Sequence, residues 1–257
     1  GGGRTRQEMN VPINSERLVR GPLAILCAVI LAGCASTANN PKDPYEGFNR
    51  AMFSVNEGID TVVAKPLAKG YDAVAPLPVK AGVGNFFGNV GDLWIGVNNG
   101  LQGKFGDGTS DIGRLLINST VGILGLFDVA SELGLEKHEE DFGQTLATWG
   151  VGDGGYLFWP VIGPRTVRDT AGFVVDAYAD PVLWGIDDIP VRNSAYFVRF
   201  VDIRAGLLPS DKVVEEAAID KYAYIRDAYL QRRRSLVFDG NEPPPEDPTA
   251  ADAPAPR

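Results

Sequence analysis

Cysteine is almost absent from this sequence, with two residues in 257. Cys27 lies inside an apolar run near the N-terminus, and Cys34 follows directly after Leu-Ala-Gly. The remainder of the chain therefore cannot form a disulfide, and its fold must be stabilised by burial of side chains. A hydrophobic content of 44% in a chain of this length is sufficient for one large domain or two small ones.

Positive charge is also scarce, because the net charge is -9 and the only basic cluster is a short one near the C-terminus. A nucleic-acid-binding protein presents a basic face, so this balance argues against nucleic acid as a partner. It argues equally against adsorption to an anionic bilayer by charge alone.

The residues that enzymes use are missing or isolated. The single histidine, His138, lies in the acidic run 136–141 and has no second His or Cys with which to form a zinc site. Residues 150–155 match GxGxxG in letters, but an aromatic and proline-rich loop follows where a dinucleotide site needs a helix. Neither a GxSxG elbow nor a Walker-A spacing occurs. We therefore predict no enzyme, no catalytic residue, no metal and no cofactor.

The longest apolar run near the N-terminus, residues 22–32, is too short for a membrane-spanning helix, which needs ~20 residues. Arg17 and Arg20 precede it, as in a secretory signal peptide. The cysteine after Leu-Ala-Gly is typical of a bacterial lipobox, in which Cys34 is acylated and becomes the first residue of the mature protein. The alternative is an ordinary signal with a cysteine nearby by chance. We expect Met9 to be the true start and membrane attachment to depend on the acyl chains.

Four segments are predicted. They are an upstream extension with signal peptide (1–33), a lipidated tether (34–42), one helical domain (43–238) and a disordered acidic Pro/Ala tail (239–257). The domain opens at Asp43-Pro44-Tyr45-Glu46, where Asp43 is predicted to cap a helix and Glu46 to complete a capping box. An apolar stripe follows at helical spacing, and Pro66 is predicted to end or bend this helix: Phe48, Met52, Val55, Ile59 and Val62.

A second helix is predicted over about 79–105 from a stripe that runs from Val79 to Phe105. Gly84, Gly88 and Gly91 lie on another face, where glycine costs up to ~1 kcal/mol each relative to alanine. Either a neighbouring helix approaches closely there, or the helix itself flexes, or the glycines break it into pieces.

Residues 107–110 are predicted to form a turn and N-cap. The apolar segment 115–127 that follows is too short to cross a bilayer, and either belongs to the core or dips into one leaflet.

The rest of the domain is predicted as a loop at 150–164 and helices at 167–178, 189–208 and 211–238. Arg232, Arg233 and Arg234 near the end of the last helix either complement its dipole or contact phosphate headgroups. Alternating strand patterns are nearly absent, so the fold class is mainly α.

Several blocks, in order, make this chain resemble the MlaA (VacJ) family of outer-membrane lipoproteins from about Asp43 to Phe238. The stretch from about 181 to 203, the tail and the upstream extension depart from the family. The matching blocks are Asp43-Pro44-Tyr45-Glu46-Gly47-Phe48-Asn49-Arg50 with Met52-Phe53, Asn85-Phe86-Phe87-Gly88-Asn89, Asn98 with Leu101-Gln102-Gly103-Lys104, Arg114 with Asn118-Ser119, Glu140-Asp141-Phe142-Gly143-Gln144-Thr145-Leu146, Trp149-Gly150-Val151-Gly152, Pro160 with Gly163-Pro164, and Arg168-Asp169.

The resemblance implies a ring-like body of amphipathic helices lying in the periplasmic leaflet of the outer membrane, with an amphipathic channel. Such proteins pair with trimeric porins, remove misplaced phospholipid from the outer leaflet and pass it to a soluble periplasmic carrier. The direction of flow, the particular porin and the channel lining are not predicted. The polar residues expected to line the lipid path or to brace it are Asn49, Arg50, Arg114, Arg168 and Asp169.

Two functions from other classes are kept beside lipid transport. One is a scaffold lipoprotein that acts through protein contacts only. The other is a periplasmic lipid hydrolase, which the absence of a nucleophile–base pair disfavours.

Overall fold

The computed structural model describes residues 40–243, and within that range the chain is predominantly helical. The mainly α prediction is confirmed. In chain order the elements are α1 (Glu46–Ile59), a π turn (Asp60–Ala64), α2 (Lys65–Val74), α3 (Leu77–Leu101), α4 (Phe105–Thr120), α5 (Val129–Glu132), α6 (Phe142–Thr148), β1 (Tyr156–Trp159), β2 (Gly163–Thr166), α7 (Val167–Ala179), α8 (Pro181–Gly185), α9 (Ile189–Gly206), α10 (Leu208–Ala217) and α11 (Lys221–Val237).

The signal peptide, the Cys34 lipobox and most of the tether lie outside the described residues, as does the tail beyond residue 243. None of the helices between residues 40 and 243 combines the length and the apolar character that crossing a bilayer requires.

The first helical stretch does not end at Pro66, since α1, the π turn and α2 follow one another without a break. Pro66 stands in the first turn of α2, directly after the π turn, where the ladder already departs from regular α geometry. The predicted cap is wrong. Tyr45 precedes α1 without a side-chain hydrogen bond, while Asp43 is fully buried and serves a different purpose.

Helix α3 is continuous, so the prediction that glycines break it is wrong. Close packing occurs, but at other glycines of the same helix. A Cβ added at Gly96 would lie 3.0 Å from the carbonyl oxygen of Gly108 on α4, and one added at Gly108 would lie 2.8 Å from that of Gly96. At Gly91 the space is open.

Residues 107–110 are helical and belong to α4, not to a turn, because the helix begins already at Phe105. The apolar segment 115–127 then divides at Thr120 into the end of α4 and a tight turn. Ile123, Leu124 and Gly125 in that turn have φ of 54°, 57° and 85°, a left-handed conformation that a β-branched side chain rarely adopts. Ile123 and Leu124 are 58% and 70% exposed, so the core interpretation of this part is wrong.

The segment predicted as a loop at 150–164 contains one strand of a β-hairpin and the start of the other. β1 and β2 pair antiparallel, with Tyr156 opposite Thr166 and Trp159 opposite Gly163. Tyr156 and Phe158 point inward and pack with Phe53 of α1 and Tyr222 of α11 to form the apolar core. Four-residue strands are too short for an alternating pattern to distinguish them from a loop.

Helix α7 and helix α9 agree with the predictions at 167–178 and 189–208 to within two residues. The single long helix predicted over 211–238 is wrong, because α10 ends at Ala217 and α11 begins at Lys221. Asp220 caps α11 by accepting a hydrogen bond from the backbone N–H of Ala223 at 3.1 Å.

Candidate functional site

The interior of the described part is unusually polar. Among residues 40–243, polar and charged side chains outnumber apolar ones among those that are buried. Each buried charge therefore needs a specific partner, because an unpaired charge in a low-dielectric interior is costly. The largest fully buried side chains are Arg114, Tyr156, Asn49, Asn98, Asn99, Thr145, Thr166, Asp43, Asp92, Asp111 and Asp169.

Asn49 is completely buried at the junction of α1 with the hairpin. Its amide donates to the Asp43 carboxylate at 2.8 Å and to the Tyr156 carbonyl oxygen at 2.9 Å. Its Oδ1 accepts from the Phe158 backbone N–H at 2.9 Å. All its contacts join elements of the fold, so Asn49 connects the first helix to β1.

Asp43 links this junction to α11, the last helix of the domain. Its Oδ2 accepts from the Tyr222 hydroxyl at 2.5 Å and from Arg226 at 3.2 Å, both on α11. Arg50, on the outer side of Tyr222, lies 4.5 Å from the ring centroid and bonds Asp220 at 2.7 Å. Of the five predicted polar site residues, Arg50 is the one whose side chain is substantially exposed.

Arg114 is buried on α4 and holds the strained turn and α5 in place. One terminal nitrogen donates to the Leu135 carbonyl oxygen at 2.5 Å, and the other to both oxygens of Asp128 at 2.8 and 3.0 Å. Burial would raise the pKa of Asp128, but hydrogen bonds from Ser131, Asn118 and Arg114 outweigh it and lower that pKa to about 2.

Arg168 and Asp169 come together at the start of α7, where both are buried. Asp169 accepts from Arg168 at 3.2 Å, from the Tyr229 hydroxyl at 2.7 Å and from Arg233 at 2.8 Å. Arg168 also pairs with Asp153 at 2.5 Å in the glycine-rich loop. Burial alone would raise the pKa of Asp169, but the charges of Arg233 and Arg168 hold it below the usual range.

Arg232, Arg233 and Arg234 near the C-terminus do not share one role. Arg233 is buried and forms paired bonds to Asp141 at 2.6 and 2.7 Å as well as the bond to Asp169. Arg232 is exposed and pairs with Glu139, whereas Arg234 bonds the Pro243 carbonyl oxygen. The helix-dipole account therefore fails for Arg233, which is an internal ion-pair partner.

A cavity of about 400 Å³ lies beside this network. It is walled by residues 139–141 and Gln144, by Pro164 and Arg165 of β2, and by one face of α11. Sequence reasoning missed Arg165, because nothing in a four-residue strand without alternation indicates that its side chain faces a cavity.

His138 and the GxGxxG letters, for which no function is predicted, both occupy defined places in the fold. His138 Nδ1 lies 2.8 Å from the buried carboxylate of Asp111, which ties the acidic run to α4. The GxGxxG letters at 150–155 lie after helix α6 and before strand β1, the reverse of the dinucleotide-binding order. Within the described residues, no group of three or more His, Cys, Asp and Glu side chains is placed to hold a metal ion.

Many large apolar side chains are exposed on the exterior of the described part. Val55, Ile59 and Val62, from the predicted stripe of the first helix, face outward. Other exposed apolar side chains come from most of the helices and from the turn after α4, among them Leu93, Phe105, Leu116, Ile123, Leu124, Phe127, Val174, Trp184, Ile189, Phe197 and Ile203. Exposed apolar side chains in this number, spread over most of the helices, are candidates for contact with a partner or with lipid.

Comparison with known sequences gives matches to a family and to individual proteins. The sequence fits the model of the MlaA lipoprotein family over residues 41–236. It is 33% identical over 232 residues to the intermembrane phospholipid transport system lipoprotein MlaA of Escherichia coli (strain K12), covering 88% of this chain and 91% of that protein. It is 38% identical over 197 residues to a protein of Rickettsia prowazekii (strain Madrid E), covering 76% and 78%.

A solved structure agrees with the described fold. It comes from work on the "structural basis for maintenance of bacterial outer membrane lipid asymmetry", and it matches with a TM-score of 0.67 at 33% identity. The match covers 76% of this chain and 98% of the solved one.

Proposed function

The chain belongs to the MlaA lipoprotein family, and from that premise we propose that it removes misplaced phospholipids from the outer leaflet of a bacterial outer membrane. It thereby maintains the lipid asymmetry of that membrane. It is a transport lipoprotein of the same kind as its Escherichia coli relative, which is named for intermembrane phospholipid transport.

The observation that supports this proposal is that many apolar side chains are exposed while many polar side chains are buried. Exposed apolar side chains on many helices are destabilising in water but favourable against acyl chains, at roughly 25 cal/mol per Å² of apolar area removed from water. Polar side chains paired inside the body are stable in the same setting because their partners are internal. The body is thus suited to a position among lipids in the periplasmic leaflet.

Lipid transfer requires apolar surface for the tails close to polar or charged groups for the headgroup. The exposed side chains of this protein supply the apolar surface, and charged side chains line the cavity that β2 and α11 enclose. Passage through an amphipathic channel needs no catalytic group. Energy for net transport then comes from the components to which the lipid is passed.

The partners proposed are a trimeric outer-membrane porin and a soluble periplasmic carrier that accepts the phospholipid. Attachment is proposed to occur through acyl chains on Cys34, with Ala35 after it consistent with sorting to the outer membrane. At ~0.8 kcal/mol per buried CH₂, two or three chains would hold the protein firmly.

Four of the polar site residues are proposed to brace the body instead of lining the path. Asn49, Arg114, Arg168 and Asp169 are buried, and their bonds run to other elements of the fold. Arg50 is exposed enough to meet a headgroup at the surface of α1.

The outer-leaflet phospholipid content of intact cells tests the function directly. Deletion of the gene is expected to raise the phospholipid that an impermeant amine-reactive probe labels at the cell surface, and the wild-type gene on a plasmid should reverse the rise. A phospholipase assay on the purified protein runs in parallel. Unchanged labelling would leave only the scaffold role, and fatty-acid release would favour the hydrolase.

Immersion in the leaflet predicts the behaviour of a Cys34→Ala variant that still reaches the envelope. Since the apolar exterior itself contacts acyl chains, this variant is expected to stay with the membrane fraction until detergent is added. High-salt and alkaline washes followed by immunoblotting make the measurement. A fully soluble, monomeric variant would contradict immersion while leaving the acyl anchor intact as an explanation of attachment.

A further inference from the structure

We propose that the cavity between β2 and α11 is a binding site for the phosphate of a phospholipid headgroup, with Arg165 as its principal ligand. This site deepens the proposed function, on which it rests, by assigning the polar end of the transported lipid to particular residues.

Arg165 is the cation of this cavity that has no carboxylate partner. Its guanidinium lies over the ring of Phe173, 4.3 Å from the centroid, and makes no salt bridge or hydrogen bond within residues 40–243. Its Nε is buried, whereas its two terminal nitrogens keep contact with solvent. Stacking on Phe173 fixes the plane of the guanidinium without using its donors.

The other charges of the wall are already paired. Asp141 is held by two bonds from Arg233, and Glu140 accepts from Lys104 at 3.0 Å and from Gln102 at 2.7 Å. These two carboxylates are therefore neutralised by partners other than Arg165, whereas Glu139 pairs with Arg232 at the rim of the cavity. The charge of Arg165 also acts on the buried carboxylate of Asp176, but that carboxylate accepts its hydrogen bonds from Trp94 and Phe142. The hydrogen-bond donors of Arg165 are therefore available to an anion in the space that Arg165 faces.

The rim of the cavity can open at little cost. Arg232 and Glu139 pair at 2.5 Å with their side chains 68% and 62% exposed, and a pair so exposed contributes only about 0–1 kcal/mol. Arg232 can thus turn to a ligand at Arg165. Two guanidinium groups that converge on one group are suited to the oxygens of a phosphodiester, which arginine binds through paired hydrogen bonds.

The volume is consistent with a headgroup. About 400 Å³ lies within the usual range of ligand sites, and Ile95, Pro164 and Leu236 supply apolar wall next to the charged part. A lipid needs this combination, because its glycerol and first methylenes follow the phosphate. Free phosphate would gain nothing from the apolar wall.

Calorimetric titration of the full chain in nonionic detergent and phosphate-free buffer tests the site. The probes are glycerophosphoethanolamine and, separately, inorganic phosphate. The wild type is expected to bind glycerophosphoethanolamine saturably and more tightly than inorganic phosphate. Arg165→Gln should weaken that binding by at least about tenfold, because it removes hydrogen bonds from a charged group. The affinity of Arg165→Lys should lie between those of the wild type and of Arg165→Gln, since lysine keeps the charge but not the paired donors of the guanidinium.

Arg192→Gln is the matched control. Arg192 on α9 also has no salt bridge or side-chain hydrogen bond within the described part, but it does not line the cavity. Its replacement should leave binding unchanged. Urea unfolding of each variant in the same detergent checks that the fold is intact, and a folded Arg165→Gln variant that binds like the wild type would refute the site.

Two further outcomes overturn the proposal. One is the absence of saturable glycerophosphoethanolamine binding by the wild type. The other is inorganic phosphate that binds as tightly as the headgroup fragment, which would make this a free-anion site. Failure of the site is distinguishable from failure of the function. If the wild-type gene restores low surface labelling and so does Arg165→Gln, transport stands and the headgroup site falls.

Discussion

Replacing Asp169 with asparagine is expected to lower the free energy of unfolding by about 3 kcal/mol. The side chain is 1% exposed and accepts hydrogen bonds from Arg168, Arg233 and Tyr229. Asparagine keeps the shape but not the charge, so two buried guanidinium groups lose a shared counter-charge. Urea unfolding in detergent, followed by tryptophan fluorescence, measures the difference.

Asp227→Asn is the control for this prediction. Asp227 pairs with the buried Arg226 at 2.9 Å, but the Asp227 side chain is itself 64% exposed, and Arg226 keeps its bond to Asp43 when Asp227 is replaced. The loss should therefore stay below about 1 kcal/mol. Equal losses for the two variants would mean that the network around Asp169 does not hold the fold.

Asp169 is also expected to make the free energy of unfolding depend on pH. The pKa of Asp169 is lower in the folded chain than its unfolded value of about 3.9, so its carboxylate contributes stability at pH values above that. The contribution is lost as the pH falls through the folded pKa. The difference in unfolding free energy between wild type and Asp169→Asn should therefore be constant near pH 7 and shrink below about pH 4.

Gly172→Ala is expected to destabilise the protein by about 2 kcal/mol, although alanine favours a helix over glycine. A Cβ at this position of α7 would lie 2.5 Å from the backbone nitrogen of Gly143 and 2.7 Å from its Cα, in the first turn of α6. Backbone cannot move aside as a flexible side chain can, so the two helices must separate. That separation would also disturb Asp141, which caps α6 and pairs with Arg233.

Gly91→Ala provides the comparison. Gly91 also lies inside a helix, but a Cβ there meets no atom within 4 Å. Its replacement should raise the free energy of unfolding by up to ~1 kcal/mol. If Gly172→Ala were stabilising as well, the close approach of α6 and α7 would be wrong.

Helical spacing and the scarcity of alternating strand patterns were enough to predict the mainly α class and the bounds of α7 and α9, whereas both predicted caps were wrong. Periodicity did not identify the buried face of α1. The stripe containing Val55, Ile59 and Val62 faces outward, while Asn49 and Phe53 are buried. A period states how often apolar residues recur, but it does not state whether protein or lipid covers them.

Asp43 illustrates why local rules failed at the polar interior. The residues Asp43-Pro44-Tyr45-Glu46 satisfy the pattern of a capping box, yet the carboxylate bonds Tyr222 and Arg226, far along the chain. A local motif records which bonds are possible nearby. Competition from a distant arginine and tyrosine becomes apparent only when α11 packs against the hairpin.

By itself, the sequence determined the lipobox prediction, the predominance of helix and membership of the family, because each depends on residues close together or on ordered blocks along the chain. Tertiary structure alone decided the pairing of Arg233 with Asp141 and Asp169, the contact of Gly172 with Gly143, and the cavity at Arg165. These arrangements join segments separated by tens of residues. Their energies come from burial and charge pairing, which no local pattern of residues encodes.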